Sequence, residues 1–329
     1  MKKHIEDPGS NGSKENIQGG RNIEKGVWSW ARNKGKRAWG WAQNHSTPVF
    51  LAPFTLLFFL FTILPILSAI MLSFTYFNMV EFPSFVGLDN YVRMFFDDDV
   101  FLISLRNTAI FAIITGPISY IISFMVAWLI NEFRRGLRTV LTLVFYLPSL
   151  AGNVYFVWTY IFSGDSYGFL NSTLIRTGII KDPVMWLTDT KYMMGVVIVV
   201  ILWLSMGTGF LSFVAGLQSM DRTLYEAAAV DGIKNRFAEL WYVTLPQMVP
   251  QLLFGAVITI STSFAVGYES MNLTGFPSTD YAAHTLVLHI LDIGGVRFEM
   301  GYASAVAVFL FALMLILWNV INKTLSKWL

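Results

Sequence analysis

The residues best suited to chemistry lie in one charged stretch of an otherwise apolar chain, from Leu224 to Pro246. Asp221 is suited to cap a helix that begins at Arg222, because an aspartate side chain accepts hydrogen bonds from the free N–H groups of a first helical turn. Small residues allow a close approach and acids allow charged contacts, which is docking chemistry rather than catalysis. The candidate contact residues are Glu226, Ala227, Ala228, Asp231, Gly232, Leu245 and Pro246.

Two further positions in this stretch predict a turn and the start of the next apolar segment. Gly232 tolerates a positive φ and therefore predicts a sharp turn after the helix. Leu245-Pro246 predicts the start of the next apolar segment, because proline has a fixed φ and needs no N–H partner in a first turn. Amphipathicity alone would fit an ordinary loop helix at a membrane surface.

The sequence lacks several features that an energy source, a metal site or a disulfide would require. It contains no GxxxxGK[ST] phosphate-binding loop, so the chain does not bind ATP by such a loop of its own. It contains no cysteine, which excludes disulfides and thiolate metal sites. The central turns of its apolar segments carry no Asp, Glu or Lys, whereas ion-driven carriers usually place such groups there. We therefore expect no enzymatic activity and no cofactor, and any active transport must draw its energy from another polypeptide.

The elements that position these residues are apolar. The 329 residues are 55% hydrophobic and 13% charged, which is typical of a polytopic membrane protein. A helix needs about 20 apolar residues to cross a bilayer. Six segments meet this requirement and predict an all-α protein with six transmembrane helices, with kinks at Pro53, Pro65, Pro117 and Pro148. The segments are residues 49–77, 105–131, 139–162, 194–217, 247–268 and 302–322.

The basic residues indicate the orientation of these helices. Most of the 23 lysines and arginines precede the first segment, follow the last, or lie in the second and fourth connections. Because basic residues concentrate on the cytoplasmic side, both termini and the charged stretch are predicted to be cytoplasmic. The formal net charge of +2 does not favour a nucleic-acid partner.

The chain divides into an N-terminal part, residues 1–48, and a membrane domain, residues 49–329. The first 20 residues are rich in Gly, Ser and Asn, which predicts a disordered tail. Four tryptophans interleaved with basic residues follow, a mixture suited to the headgroup layer of a bilayer. These tryptophans are Trp28, Trp30, Trp39 and Trp41.

A resemblance to a known family rests on the order Glu226-Ala227-Ala228, Asp231-Gly232 and Leu245-Pro246. This order resembles the EAA motif of permease subunits in binding-protein-dependent ABC importers. Three further segments are similar to the carbohydrate branch, and specifically to the maltose-type subunit that carries the sugar site; these are FVGLDNYVRMF (Phe85–Phe95), RNTAIF (Arg106–Phe111) and MGYASAVAVFLF (Met300–Phe311). The resemblance runs from about residue 49 to the C-terminus. Residues 219–246 are called the EAA loop below.

The resemblance implies a type I ABC importer permease fold with a cytoplasmic coupling helix between helices 4 and 5. It implies a multi-pass protein of the bacterial cell membrane that translocates an oligosaccharide or other carbohydrate. The implied partners are a second homologous permease subunit, two cytoplasmic ATP-binding subunits that hold ATP and Mg, and an extracytoplasmic solute-binding protein. The chain itself would hold no cofactor and no metal.

A sugar site needs hydrogen-bonding groups and aromatic faces in a largely apolar pocket. Such residues lie near the middle of the two segments that flank the EAA loop, where similar permeases hold sugar. Each one alone fits ordinary helix packing. The candidates are Trp203, Ser205, Thr208, Thr259, Ser261, Thr262 and Phe264, with Asn153, Tyr155 and Trp158 as candidates for an outer vestibule.

The connections on the other side, about residues 78–103, 163–193 and 269–301, would contact the solute-binding protein. Their polar residues fit ordinary solvated loops equally well, and the histidines have too few neighbouring ligands to predict a metal site. The candidates are Asp97, Asp98, Asp99, Asp165, Tyr167, Asp280, His284, His289 and Glu299.

Two other function classes remain open at this level. A secondary carrier or channel for a small polar solute would explain six helices but not the spacing of the EAA motif. A membrane-bound enzyme would need clustered His or Cys residues or paired carboxylates within the membrane, and the sequence shows none.

Overall fold

A computed structural model of the chain describes residues 46–152 and 154–328. The predicted tail and its tryptophans therefore lie outside the described residues, as does Asn153. The chain divides into two compact units, Met1–Ser68 and Ala69–Leu329.

Span 1 is the apolar helical stretch Phe50–Leu72. Its α-helical parts, Ser46–Phe58 and Leu64–Leu72, are joined by a π-helical turn at Phe59–Ile63. Pro65 lies two residues after this turn. Because proline lacks an N–H and its ring crowds the carbonyl four residues earlier, a wider turn before Pro65 relieves the clash.

Six membrane spans can be assigned within the described residues. Four helices are long and apolar enough to cross a bilayer, and two bent helix pairs raise the number to six. The pair that forms span 3 bends by 85° and the pair that forms span 5 bends by 82°. The bounds of spans 2 to 6 are Asp99–Asn131, Arg135–Leu150 with Tyr155–Ile161, Thr190–Ser219, Arg236–Gln247 with Val249–Phe264, and Met300–Lys323. The prediction of six transmembrane helices is confirmed.

Span 4 is interrupted near its middle. Its two α-helices, Thr190–Leu204 and Thr208–Ser219, are separated by three residues. Gly207 caps the second helix with φ −96° and ψ −141°, which is not a helical conformation. The interruption frees backbone groups inside the bundle, where other spans can bind them.

The start of span 5 differs from the prediction. Leu245-Pro246 lies at the end of a shorter helix, Arg236–Gln247, which is π-helical at Leu240–Thr244. The straight membrane helix begins only at Val249, after Met248 has left the helical conformation with ψ 5°. The reason is Pro250, which has no N–H to donate to the carbonyl of Pro246, so the helix cannot continue through this point.

Shorter elements connect the spans. A two-stranded antiparallel hairpin pairs Thr75 with Phe85 and Tyr76 with Ser84. The connecting helices are Asp89–Phe96, Phe169–Arg176, Arg222–Val230, Tyr268–Thr274, the 3₁₀ turn Thr279–Tyr281, and Leu286–Ile290 followed by the π-helical Leu291–Val296. Span 6 continues as a helix to Trp328.

The core of the second unit forms where spans 2, 4 and 5 pack together. Phe124, Phe213 and Leu252, one from each span, belong to one buried cluster. The spans approach closely because of glycine: a Cβ added to Gly255 would lie 2.3 Å from the Phe213 ring. Gly255 therefore permits the close packing of spans 4 and 5, since even alanine would not fit without movement.

Candidate functional site

The EAA loop contains a capped helix, Arg222–Val230. The Asp221 side chain accepts a hydrogen bond from the Thr223 backbone N–H at 3.0 Å, and this bond lowers the pKa of Asp221 below its usual value. At the other end, Gly232 has φ +91°. Its N–H donates to the carbonyl of Ala229 at 3.2 Å, and the next N–H donates to that of Ala228 at 3.0 Å. The predicted cap and the predicted glycine turn are confirmed.

One face of this helix is open. Glu226, Ala227, Asp231 and Gly232 are exposed, whereas Ala228 is buried. A Cβ added to Gly232 would meet no atom within 4 Å. The exposed face therefore combines small residues and acids, and it leaves room for another molecule to approach.

The helix Arg222–Val230 is tied to span 5, and the start of span 5 is tied to the end of span 2. The Tyr225 hydroxyl shares a 3.1 Å hydrogen bond with Oγ1 of Thr244, which is buried in the first half of span 5. Arg236 pairs with Glu132 at the end of span 2 at 2.7 Å and with Glu239 at 2.9 Å. A displacement of the EAA loop would therefore reach spans 2 and 5 directly.

A polar cavity of about 340 Å³ lies among spans 2, 3, 4 and 5. The interruption of span 4 opens onto it, through Ser205 and Gly207. Most of its polar groups are hydroxyls. The polar lining residues are Thr115, Ser119, Ser123, Tyr146, Ser149, Ser205, Thr208, Thr259, Thr262, Ser263 and Glu269.

The cavity hydroxyls can receive hydrogen bonds from a polar solute. Thr259 donates its proton to the Gly255 carbonyl at 2.9 Å, and Thr262 donates to the Thr259 carbonyl at 3.1 Å. Ser123 donates to the carbonyl of Ser205 at 3.1 Å, across from span 2 to the interruption of span 4. A hydroxyl that has given its proton keeps acceptor capacity. The Ser205 hydroxyl is buried and has no partner among the described residues, so it can also donate.

The structure brings some of the sequence candidates together and leaves others apart. Ser205, Thr208, Thr259 and Thr262 line the cavity. The remaining candidates lie outside it: Trp203 packs edge to face on Trp158 at 5.3 Å, Ser261 is exposed and donates to the Val257 carbonyl at 2.9 Å, and Phe264 lines a separate apolar groove among spans 2, 5 and 6. The candidates Tyr155 and Trp158 pack against a second buried cluster around Val197.

Sequence reasoning missed the contribution of span 2. Thr115, Ser119 and Ser123 all line the cavity, and they are spaced four residues apart. That spacing places the three on one face of a helix, so a search for small polar residues at helical period would have found this row. Glu269 was missed because it follows the predicted apolar segment.

At the end of the bundle opposite the EAA loop, three residues form a buried polar network. Asp98 accepts hydrogen bonds from Nε2 of His289 at 3.0 Å, from the Tyr302 hydroxyl at 2.7 Å and from the Phe101 N–H at 2.9 Å. Burial would raise the pKa of Asp98, but these three hydrogen bonds lower it well below its usual range. Asp98 and His289 thus face inward, rather than forming part of a solvated loop.

Charged residues and a histidine next to this network are also paired or buried. Arg93 pairs with Glu299 and lies over the Tyr302 ring, 4.3 Å from its centroid. Burial would lower the pKa of Arg93, but the hydrogen bond to Glu299 raises it. His284 is fully buried, and burial lowers its pKa to about 4. Tyr167 and Asp280, in contrast, are exposed at this end.

Comparisons with known proteins agree with this architecture. The family model described as binding-protein-dependent transport system inner membrane component matches residues 119–329. The chain is 31% identical over 285 residues to the probable ABC transporter permease protein YesP of Bacillus subtilis (strain 168), covering 85% of this chain and 90% of that protein. It is 31% identical over 267 residues to the lactose transport system permease protein LacF of Rhizobium radiobacter, covering 79% and 86%. A solved structure of a bacterial ABC transporter involved in the import of the acidic polysaccharide alginate has the same fold, with a TM-score of 0.69 at 24% identity over 88% of this chain and 99% of that chain.

Proposed function

Because the chain belongs to the family of binding-protein-dependent transport system inner membrane components, we propose that it forms the carbohydrate path of an ABC importer. As a permease subunit it spans the membrane several times and leaves ATP hydrolysis to other subunits. The cargo is an oligosaccharide or another carbohydrate. The lactose permease among its relatives supports this cargo class.

The observation that carries the proposal is the hydroxyl-lined cavity inside the bundle. Sugars present many hydroxyl groups, each a donor and an acceptor, and a pocket that binds them needs convergent partners of the same kind. Ser205, Thr208, Thr259 and Thr262 supply such partners from the two spans that flank the EAA loop. These four residues hold the sugar during its passage.

The assembled importer contains a second homologous permease subunit, two ATP-binding subunits that hold ATP and Mg, and an extracytoplasmic solute-binding protein. Both termini and the EAA loop lie in the cytoplasm, as the distribution of basic residues favours. Exposed residues at the opposite end, including Tyr167 and Asp280, contact the solute-binding protein.

The helix Arg222–Val230 of the EAA loop docks on an ATP-binding subunit. Glu226 and Asp231 offer charged contacts, the exposed Ala227 permits close packing, and Gly232 turns the chain beneath the partner, whereas the buried Ala228 supports the helix from within the chain. Movement then passes through Tyr225 and Thr244 into span 5, and through Leu245 and Pro246 to the bend at Met248. Since span 5 lines the cavity, its rigid-body rotation switches access to the sugar from one side of the membrane to the other.

The test is uptake into proteoliposomes that contain this chain, its partner permease, the ATP-binding subunits and the solute-binding protein. We expect radiolabelled oligosaccharide to accumulate only with ATP and with all four components. Accumulation without the ATP-binding subunits would favour a secondary carrier or channel. ATP-driven uptake of solutes other than carbohydrates, with none for any sugar in a panel, would contradict the proposed cargo.

A further inference from the structure

In the part of the chain that the structure describes, the cavity lining carries one negative charge and no balancing positive charge. Among the described residues that line it, Glu269 is the only one with an acidic side chain, and none is a lysine, arginine or histidine. The other polar groups are neutral hydroxyls, from Thr115 on span 2 to Thr262 on span 5. The electrostatic character of the cavity is therefore set by a single carboxylate.

Glu269 is held in place by its surroundings. It lies in the first turn of the helix Tyr268–Thr274, directly after span 5. One carboxylate oxygen, Oε2, accepts a hydrogen bond from the Gly267 N–H at 3.2 Å. The same helix is also held by Ser270, whose buried hydroxyl donates a hydrogen bond to the Ala283 carbonyl at 2.6 Å. The other oxygen, Oε1, accepts no hydrogen bond from the described residues, which leaves it available to a solute.

We propose that Glu269 makes this cavity selective for carbohydrates that carry no acidic groups. The inference rests on the proposed carbohydrate import and specifies its cargo. A neutral sugar donates hydroxyl protons to the carboxylate, and such charge-assisted hydrogen bonds are stronger than those between neutral groups. A uronate, sulfonate or phosphate group would instead meet a like charge.

The size of this discrimination follows from electrostatics. Two like charges a few ångströms apart repel, and the described part of the lining offers no lysine or arginine to offset this repulsion or the loss of hydration. We expect a preference for the neutral sugar of at least about tenfold, which corresponds to about 1.4 kcal/mol. The similarity of fold to an importer of acidic alginate therefore does not extend to the charge of the cargo.

The experiment compares two probes with the same ring configuration, β-1,4-mannopentaose and penta-β-1,4-mannuronate, which differ in carrying a hydroxymethyl or a carboxylate on each ring. Binding of each probe to the complete importer in lipid nanodiscs, without the solute-binding protein, is measured by saturation-transfer NMR titration. The wild-type importer should bind the neutral probe at least about tenfold more tightly. Glu269→Gln preserves the size and the acceptor for Gly267 but removes the charge, and it should reduce the difference at least about threefold.

Two further variants control the interpretation. Glu269→Asp keeps the charge and should keep the preference, whereas Glu81→Gln removes an exposed carboxylate outside the cavity and should leave both affinities unchanged. Equal binding of the two probes, tighter binding of the acidic one, no binding of either, or an unchanged preference in Glu269→Gln would each overturn the inference. The proposed function is tested separately by ATP-driven uptake of a panel of neutral and acidic saccharides. If uptake occurs but shows no dependence on charge, only the inference fails.

Discussion

Asp98 connects three parts of the chain through one side chain. It caps span 2, and it binds residues that follow it by 191 and 204 positions, His289 and Tyr302. A buried carboxylate is costly unless it is hydrogen-bonded, and here three donors satisfy it. Individual polar residues of this protein therefore divide into those that hold the bundle together, such as Asp98, and those that remain free to contact a solute or a partner, such as Ser205 and Glu226.

Two substitutions of Gly232 distinguish the cost of its backbone conformation from the effect of side-chain size. Both Gly232→Ala and Gly232→Leu place a side chain at φ +91°, which costs on the order of 1 kcal/mol in the helix cap. Only the leucine projects far enough to clash with a docked ATP-binding subunit. We expect substrate-stimulated ATP hydrolysis in reconstituted liposomes to fall moderately in the alanine variant and severely in the leucine variant, with normal amounts of subunit in the membrane. Equal activities in the two variants would contradict docking at this turn.

Glu226 is exposed, so its removal should not disturb folding. In the proposed docking, Glu226→Ala removes one charge-assisted contact to the ATP-binding subunit, worth about 1 to 3 kcal/mol where docking buries it. We expect reduced transport and reduced substrate-stimulated ATP hydrolysis with normal subunit abundance. Glu226→Gln should show the same loss, because it keeps the shape of the side chain and removes only the charge. Normal coupling in both variants would exclude this contact.

The cavity hydroxyls should contribute to the apparent affinity for sugar. The double variant Ser205→Ala, Thr262→Val removes two hydroxyls that line the cavity, each worth about 1 kcal/mol to a hydrogen-bonded sugar. We expect KM for uptake to rise about thirtyfold, since about 1.4 kcal/mol corresponds to a factor of ten. Ser261→Ala removes a hydroxyl one residue away that lies outside the cavity, and it should leave KM unchanged. An effect of Ser261→Ala equal to that of the double variant would point to helix packing instead.

At the scale of elements, two breaks in helical structure shape the cavity and its connection to the EAA loop. The interruption of span 4 exposes the Ser205 carbonyl to Ser123, and the bend at Met248 separates the part of span 5 tied to the EAA loop from the part that lines the cavity. Both breaks occur where glycine or proline removes a side chain or an N–H. The elements around them pack tightly, so a movement at the EAA loop is carried by rigid helices.

The packing of spans 4 and 5 can be tested at glycine. Gly255→Ala would place a Cβ 2.3 Å from the Phe213 ring, whereas Gly195→Ala in span 4 would meet no atom within 4 Å. Overpacking of this kind typically costs about 1 to 3 kcal/mol. We expect a lower melting temperature for Gly255→Ala in detergent, and a melting temperature at or above that of the wild type for Gly195→Ala. Equal values for the two would mean that spans 4 and 5 are not closely packed.

At the scale of the whole molecule, stability should depend on the pH at the end of the bundle opposite the EAA loop. Burial lowers the pKa of His284 to about 4 from an ordinary value of 6.5. Between these values the unfolded chain binds more protons than the folded chain. The contribution of neutral His284 to stability is therefore complete above about pH 6.5 and is lost as the pH falls towards 4, by at most about 1.4 kcal/mol per pH unit.

The measurement is the melting temperature of the purified protein in detergent from pH 7.5 to 4.5. We expect it to fall on acidification in the wild type and to fall less steeply in His284→Gln, whose side chain does not titrate. The difference in slope is the informative quantity, because the substitution can also change stability at every pH. Parallel curves for the two proteins would show that another group controls the acid sensitivity.

The sequence by itself determined the features that depend on local order. Hydrophobic segments of sufficient length specify membrane helices, because a bilayer imposes one length and one polarity on every span. Asp221 and Gly232 specify the ends of the helix between them, since a cap involves only neighbouring residues. The spacing of the EAA motif was likewise readable, because it lies within one short loop.

Only the tertiary structure decided which polar residues share a cavity and which hold the bundle together. Thr115 on span 2 and Glu269 after span 5 are 154 positions apart in the sequence, and they line the same space only because the spans cross there. Trp203 and Ser261 lie in the correct spans but face elsewhere, because successive residues of a helix point in directions about 100° apart. Rotation about a helix axis is set by packing against the neighbouring spans, and hydrophobicity that extends around the whole helix carries no information about it.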